Sequence, residues 1–494
     1  MRHMRRVVHL VAALGIVSVG FAGGFAGESR DTFPALDAES ADVRFRVLPR
    51  LLAERVSLAL RPSSAIAQGE KTLSPVETYL SVRDTILTQH ANPPADPKVA
   101  KDWPRKLQDL AIKGMVGSVG DVYTEYWTPD EFRKQMETTN GNFYGVGARL
   151  DVRDHKPLIV EPIPGTPAFL KGILPGDQIL AVDGKSAILS KDQTLEDVIK
   201  RIKGPEGTQV TLTIERKGRK PFDVVLRRAL VVSPVIESWM QDNERKIGYI
   251  RLDQFTEKAD EQFAAALAKL EAQGMKALVF DLRGNPGGLL NIAQSLASRF
   301  IQSGPVVWTK QKQGEMESLD VDASKHVGKL SKGTIPVVVL VNGGSASASE
   351  IVSGAIQDAG VGFLVGTRTF GKGLVQTILP LGERTGALKI TTQHYYTRDK
   401  HDINLKRDED GAPIGGSGGI RPDKIVTEGE KDVEAQRKVL RENPGNRRMA
   451  LQYSPQMKEA VQLLRDRLEG KEWPATQRND PEKQDAAAKK DDNG

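Results

Sequence analysis

The spacing of apolar residues changes three times along the chain, and each change marks a different kind of element. From 74 to about 139 the pattern is helical, with Leu107, Leu110, Ala111, Gly114 and Met115 recurring at spacings of three and four. Ser74-Pro75-Val76-Glu77 and Thr128-Pro129-Asp130-Glu131 supply helix starts: a capping side chain, proline at the first helical position and an acid in the first turn. From 140 to about 228 the period shortens. Alternating or apolar runs stand at 148–152, 158–163, 178–182, 210–215 and 222–226, divided by Pro164-Gly165, Pro175-Gly176-Asp177 and Asp183-Gly184. One helix interrupts them at 194–203, where Leu195, Val198, Ile199 and Ile202 form a single stripe. A partly open β-barrel with a helix over its edge is expected.

From 246 strands and helices alternate. A strand at 247–252 precedes a helix at 257–273, with Phe263, Leu267 and Leu270 inward and Gly274 as its stop. Buried-type strands at 277–282 and 337–341 each run into a glycine-rich turn and a helix, and further strands are expected at 361–365, 374–379 and 387–394. This order predicts an α/β core with its site at strand ends. Beyond 428 the chain is charged and helix-prone, and from 471 a polar tail without fixed structure is expected.

The first residues change the picture. Arg2, Arg5 and Arg6 precede a run at 7–26 that holds no Asp, Glu, Lys or Arg and ends in small residues. That is the layout of a secretory signal, with Gly24-Phe25-Ala26 as a cleavage site and Ala65-Ile66-Ala67 as a second; left uncut, the run would be a membrane anchor. The domain plan is therefore a signal or anchor at 1–26, a linker at 27–73, a helical domain at 74–139, a β domain at 140–228, an α/β core at 229–428 and a charged helix with a tail at 429–494. The net charge of +6 loses half its value if the three arginines are removed, which argues against a nucleic-acid partner. The absence of cysteine excludes a thiol nucleophile, a thiolate metal site and disulfides.

Three segments carry candidate chemistry. A buried strand leads through Asn342-Gly343-Gly344 into Ser345-Ala346-Ser347-Ala348-Ser349-Glu350, where small residues admit a substrate backbone and helix-start amides favour negative charge. A serine here could be a nucleophile, and Ser347-x-x-Glu350 could equally be a capping box. In Phe370-Gly371-Lys372-Gly373 a lysine beside an apolar strand could be desolvated into a neutral base, with Gln376 on the same face to orient it. The plain alternative is a surface lysine in a loop. Gly373 stands where a phosphate-binding Walker motif has Ser or Thr. Asp281-Leu282-Arg283-Gly284-Asn285-Pro286-Gly287-Gly288 follows a strand and lacks the dinucleotide glycine pattern. Neither S-x-x-K nor H-E-x-x-H occurs, and no Asp or Glu partner marks His394 or His401 as a serine's base.

In order and content these segments resemble the carboxyl-terminal processing peptidases, or tail-specific proteases, with Gly419-Ile420-Arg421-Pro422-Asp423 as the closing motif. The resemblance implies multidomain α/β and β architecture: a helical N-terminal part, a PDZ domain, and an α/β protease core similar to the ClpP/crotonase-type fold. It implies Ser347 as nucleophile, Lys372 as general base and Gln376 as its support. The amide of Ala348, with that of Gly287 or Gly288, would form the oxyanion hole, and Glu350 and Asp358 are read as structural. Tyr144-Gly145-Val146-Gly147 matches a PDZ carboxylate-binding loop, with Leu195, Val198 and Ile199 facing the last side chain of a bound peptide. Leu170-Lys171-Gly172 departs from the Ala-Gly pair usual after that loop. The implied function is an exported, periplasmic serine endopeptidase, soluble or tethered, that takes protein substrates by their C-termini and works without cofactor or metal. A homo-oligomer is expected, and an adaptor protein is compatible with it. The competing class is a non-catalytic PDZ scaffold with a protease-like core.

Overall fold

The computed structural model describes residues 74–478, apart from 191–192, 327, 329, 331, 383–384, 409–411, 413, 415–416 and 444. The signal or anchor, the linker and the end of the polar tail lie outside the described residues. Among those described, no helix is long and apolar enough to cross a membrane. The chain divides into two compact units, 1–93 and 94–494. In the first, helix α1 (Pro75–Gln89) begins as expected: the Glu77 amide donates to Ser74 Oγ (3.3 Å) and the Ser74 amide to Glu77 Oε2 (2.8 Å).

The second unit opens with helix α2 (Pro97–Gly117), strand β1 (Glu125–Trp127) and helix α3 (Pro129–Asn140). The stripe read along α2 does not face the core. Leu110 and Met115 are exposed and Val116 is buried, because α2 is turned so that Asp109 accepts the Tyr126 hydroxyl of β1 (3.0 Å).

The β-rich section runs β2 (Asn142–Gly145), β3 (Ala148–Arg153), β4 (Lys156–Pro162), a short α4 (Pro167–Leu170), β5 (Gln178–Val182), β6 (Lys185–Ser186), α5 (Leu195–Ile202), β7 (Gln209–Glu215), β8 (Phe222–Arg227) and β9 (Ala229–Val232). Its sheet has the order β3-β4-β5-β7-β8, all antiparallel, with β6 on β5. Inward residues Ile159, Ile179, Val182, Val210, Leu212 and Leu226 meet Val198 and Ile202 of α5 in one core. β2 and β9, which enter and leave this section, pair with each other antiparallel and close it at its base.

The α/β section begins with β10 (Ile236–Asp242), β11 (Ile247–Leu252), α6 (Ala259–Ala272), β12 (Ala277–Asp281), α7 (Leu290–Ser298), β13 (Pro305–Gln311), β14 (Met316–Asp320), β15 (Val337–Val341) and α8 (Ala348–Asp358). It continues with β16 (Phe363–Gly366), β17 (Leu374–Gly382), β18 (Gly386–Tyr396), β19 (Lys424–Ile425), α9 (Glu430–Glu442), α10 (Arg447–Ala450) and α11 (Pro455–Leu468). The main sheet has the order β10-β11-β12-β15-β16-β19, antiparallel at β10 and parallel from there on. Parallel strands covered on both faces explain the unbroken apolar runs. Leu278 and Phe280 point towards α6, α7 and α8, and Ala277 and Val279 point to the opposite face.

That opposite face is covered by α11, through Met457, Ala460, Leu463 and Leu464. The charged C-terminal segment is therefore a layer of the core: burying a Leu or Met side chain contributes about 1.5–3 kcal/mol. The expectation of an unstructured chain from 471 also needs correction. Trp473 stacks on Phe363 with ring centroids 5.1 Å apart, and the Gln477 amide donates to the Asp423 carbonyl (2.7 Å), which fixes 473–477 at the sheet edge.

A second, antiparallel sheet has the order β1-β18-β13-β14, with β1 and β13 on one edge of β18 and β17 along the other. It brings the lysine segment to the end of β15 and the start of α8.

Candidate active site

Of the three serines after β15, two are used by the fold. Ser345 Oγ donates to the Leu282 carbonyl (2.8 Å) and Ser349 Oγ to the Asn285 carbonyl (2.9 Å), both fully buried. They fasten the start of α8 to the loop after β12. Ser347, between them, is half-buried, and its hydroxyl makes no capping bond to α8. The Glu350 amide instead donates to the Ser347 carbonyl (2.8 Å). Half of the expected capping box is thus present, and the half that would occupy the serine hydroxyl is not.

Ser347 has φ +56° and ψ −115°, a conformation costly for a residue with a Cβ. With the bond from the Glu350 amide, four backbone hydrogen bonds hold it there. Its amide donates to Glu350 Oε2 (2.8 Å), and its carbonyl accepts from the Tyr395 hydroxyl (3.1 Å) and the Ile351 amide (3.0 Å). A strained turn between a parallel strand and a helix presents a nucleophile at the sheet edge.

Glu350 does more than the structural role read from sequence. Its buried carboxylate accepts four hydrogen bonds: Ser347 N (2.8 Å) and Lys372 N (2.9 Å) on Oε2, Gly371 N (2.7 Å) and Thr369 Oγ1 (2.6 Å) on Oε1. One side chain thereby fixes the Ser347 turn against the lysine loop. Burial raises its pKa, opposed by those four donors. Asp358, at the far end of α8, accepts the Asp399 amide (3.1 Å) and keeps a structural role.

Lys372 and Gln376 line one cavity of about 480 Å³ with Ser347, Ala348, Gly287 and Gly288. The cavity walls are mixed: Leu289, Leu290, Ile351, Val375 and Ile378 form apolar parts, and Glu125, Gln135, Thr139, Gln254 and Lys389 form polar ones. Burial lowers the Lys372 pKa, and the nearby Lys389 charge lowers it further. Its Nζ lies 4.7 Å from the centroid of the Tyr123 ring, a contact that favours the ammonium form. No hydrogen bond joins Lys372 to Ser347 or to Gln376 among the described residues; the Gln376 amide instead donates to Thr391 Oγ1 at 3.5 Å. A β-bulge between Val375 and Gln376 breaks the regular alternation assumed for this strand.

The two glycines proposed for the oxyanion hole separate. The Gly287 amide is taken by Asn285 Oδ1 (2.9 Å), whereas Gly288 N and Ala348 N have no acceptor among the described residues. Gly287 is needed for space: at φ +96° its added Cβ would lie 2.8 Å from Ser347 Cβ and 2.6 Å from the Ala346 carbonyl.

The same loop is anchored behind the site. Arg283 donates twice to Asp281 (2.7 and 3.0 Å), and its Nη1 reaches Glu428 (3.1 Å), Ser454 Oγ (3.0 Å) and Gln456 Oε1 (3.0 Å). The Tyr249 hydroxyl also donates to Asp281 (2.8 Å). Burial opposes ionisation of Asp281, but Arg283 outweighs it and holds the carboxyl well below the ordinary range.

In the β-rich section a groove of about 320 Å³ lies between β3 and α5, lined by Gly145, Val146, Gly147 and Ile199. The Val146 and Gly147 amides have no acceptor among the described residues. Three of the expected groove residues lie elsewhere. Tyr144 is exposed, because alternation along β2 sends Phe143 and Gly145 to the groove and Tyr144 away from it. Val198 is buried in the barrel core, and Leu195, half-buried on the first turn of α5, is not in the lining. Phe143 and Lys203 were missed, and Lys203 Nζ sits 4.6 Å from the Phe143 ring centroid.

A serine presented on a strained turn, a desolvated lysine in the same cavity and a β-barrel with a peptide-sized groove define a PDZ-bearing serine peptidase. Comparison with known proteins agrees. The model for peptidase family S41 matches residues 246–426, and that for the PDZ domain matches 158–216. A carboxy-terminal-processing protease of Bartonella bacilliformis is 37% identical over 69% of this chain and 75% of its own. A carboxyl-terminal-processing protease of Picosynechococcus is 36% identical over 65% and 74%. Among solved structures, the photosystem II D1 C-terminal processing protease is 26% identical, covering 71% of this chain and 87% of that one with a TM-score of 0.39. The chain belongs to the carboxyl-terminal processing protease family.

Proposed function

We propose that this family member is an exported serine endopeptidase that takes protein C-terminal tails in the 145–147 groove and cuts peptide bonds with a Ser347/Lys372 dyad. The observation that carries the dyad is the division of labour among the serines, which leaves only the Ser347 hydroxyl facing the cavity that holds Lys372. Neutral Lys372 takes the Ser347 Oγ proton as Oγ attacks the scissile carbonyl carbon. The oxyanion forms against the amides of Ala348 and Gly288. Collapse breaks the C–N bond, Lys372 returns the proton to the leaving amine, and water hydrolyses the acyl-serine by the same route. Lys372 must leave the Tyr123 ring to reach Ser347, so substrate engagement is coupled to a side-chain movement. Gln376 supports the lysine in its moved position. The N-terminal signal accounts for export to the periplasm, free or tethered, and homo-oligomers and an adaptor are compatible with this scheme.

The test is cleavage of an unfolded protein by Ser347→Ala and Lys372→Ala. Each is expected to lose about 10³-fold or more. Turnover near wild type in either variant rejects the dyad, and a wild-type protein that cleaves no unfolded substrate returns the non-catalytic scaffold.

A further inference from the structure

The end of α4 and the loop after it, where the sequence departs from the usual Ala-Gly pair, expose three large apolar side chains within six residues. Phe169, Leu170 and Leu174 are 49%, 73% and 48% exposed. Their neighbours Ala168 and Ile173 are buried and contribute to the groove, so the loop directs one set of apolar residues inward and another outward. Scattered apolar residues on a surface are ordinary; a contiguous group of this kind marks a contact surface.

Beside it stands the β7–β8 turn, Arg216-Lys217-Gly218-Arg219-Lys220, four cations in five residues. The two are stapled together: Arg216 makes a bidentate pair with the buried Asp177 (2.7 Å) and donates to the Gly172 carbonyl (2.9 Å). Asp177 in turn accepts the Leu174 amide (2.9 Å). Arg216 is thereby neutralised. Lys171, Lys217, Arg219 and Lys220 are exposed and make no ion pair among the described residues; Arg219 lies over the Phe222 ring (3.9 Å). Of the nearby acids, Glu215 is paired with Lys156 (2.5 Å), and Asp223 takes only a hydroxyl hydrogen bond from Thr213 (2.7 Å) and keeps its charge. Apolar prongs are thus flanked by four positive charges outside any ion pair, against one such acid.

We propose that this end of the PDZ domain binds the surface of an anionic lipid bilayer, with Phe169, Leu170 and Leu174 entering the headgroup boundary and Lys171, Lys217, Arg219 and Lys220 meeting acidic headgroups. Apolar and basic residues on one surface match an interface that is apolar within and negative outside. A second copy of the chain does not fit, since self-association through this surface would set like charges against each other. Nucleic acid would use the cations and leave the apolar prongs in water. None of these seven residues lines the groove, whose wall here is formed by the inward neighbours Ala168 and Ile173.

The chain has no cysteine, so Leu170→Cys in the full protein carries a single environment-sensitive fluorophore. Because the probe is local, it reads this loop whatever the N-terminal run does. Vesicles of phosphatidylcholine with phosphatidylglycerol are expected to shift its emission to the blue, and salt to reverse the shift. In a K217A/R219A/K220A background the midpoint should rise on the order of 100-fold, three cations at about fivefold each. Unchanged groove binding of a peptide with a free C-terminus controls for folding. No shift on anionic vesicles, or an equal shift on pure phosphatidylcholine, overturns the proposal. A shift produced by soluble polyglutamate and not by vesicles also overturns it and assigns the surface to an acidic polypeptide.

Discussion

Ser347 and Lys372 donate their backbone amides to the same oxygen, Oε2 of Glu350, at 2.8 and 2.9 Å. The separation of the proposed nucleophile and base is thus set through a carboxylate that touches neither side chain's reacting atom. Every partner of Glu350 is a donor, so glutamine cannot replace it: its NH₂ must face two N–H groups, or an N–H and a hydroxyl. Glu350→Gln is expected to cost about 1–3 kcal/mol of stability for the unpaired donors, and to lower kcat by at least about 100-fold with KM little changed. Glu350→Asp, one methylene short, should not rescue. Thermal melts beside steady-state kinetics measure both effects, and normal kcat in the glutamine variant would contradict the positioning role.

The acid limb of kcat/KM should lie below the ordinary lysine pKa, because burial and Lys389 both disfavour the Lys372 ammonium. Lys389→Met removes the like charge and leaves Glu125 unopposed, so the limb should move to higher pH. The shift is also visible in stability. A lysine whose folded pKa is depressed binds fewer protons folded than unfolded, so the cost of charged Lys372 is present below its folded pKa and fades as pH rises towards 10.5. Lys372→Met is therefore expected to raise Tm at neutral pH while abolishing turnover. A pH–rate series with melts on both variants checks this.

Asp281 has the opposite sign. Its folded pKa is depressed, so its contribution is fully present above the unfolded carboxylate value and disappears as pH falls below it. Asp281→Asn leaves the buried Arg283 without its main counter-charge and should cost about 3–5 kcal/mol. Since Arg283 also reaches Ser454 and Gln456 at the start of α11, Gln456→Ala should perturb turnover from behind the site without touching the cavity. Denaturant melts between acid and neutral pH test the first, and kcat at saturating substrate tests the second.

For the groove, amidating a substrate's C-terminus should weaken binding at least tenfold, since the Val146 and Gly147 amides would lose the carboxylate. Ile199→Glu should do the same by placing charge in an apolar wall. Cleavage of a short peptide that does not engage the groove should be unchanged. Fluorescence anisotropy with the free and amidated peptides gives the comparison.

The sequence was most readable where structure is local. The proline-led caps at Ser74 and Thr128, the strands Ile247–Leu252 and Val337–Val341 and helix Leu195–Ile202 fall within a residue of their expected bounds, because caps and burial patterns need no distant partner. Strands Glu125–Trp127, Pro305–Gln311 and Met316–Asp320 were not anticipated; the first two are held by pairing with β18, far along the chain, and the third by a hairpin to the second. Helix α11 was read only as charged and helix-prone, without its place in the core, because its buried stripe lies among seven charged or amide side chains in a helix of fourteen residues. The motif residues were legible as types, but their division of labour was not. That Ser345 and Ser349 are fasteners, that Glu350 joins two loops and that Tyr123 holds Lys372 all depend on partners brought together by the two sheets. The groove errors have two causes: alternation along β2 exchanges Phe143 for Tyr144, and the way α5 faces the barrel puts Val198 in its core and leaves Ile199 at the groove.

The central claim is that Ser347 is the nucleophile and Lys372 makes it one. The most direct measurement is reaction of the full chain with a serine-reactive phosphonate probe, followed by mass spectrometry of the modified peptide. The account predicts a single adduct on Ser347 that is lost in Lys372→Ala. An adduct on another serine, or undiminished labelling of Ser347 in Lys372→Ala, would contradict it.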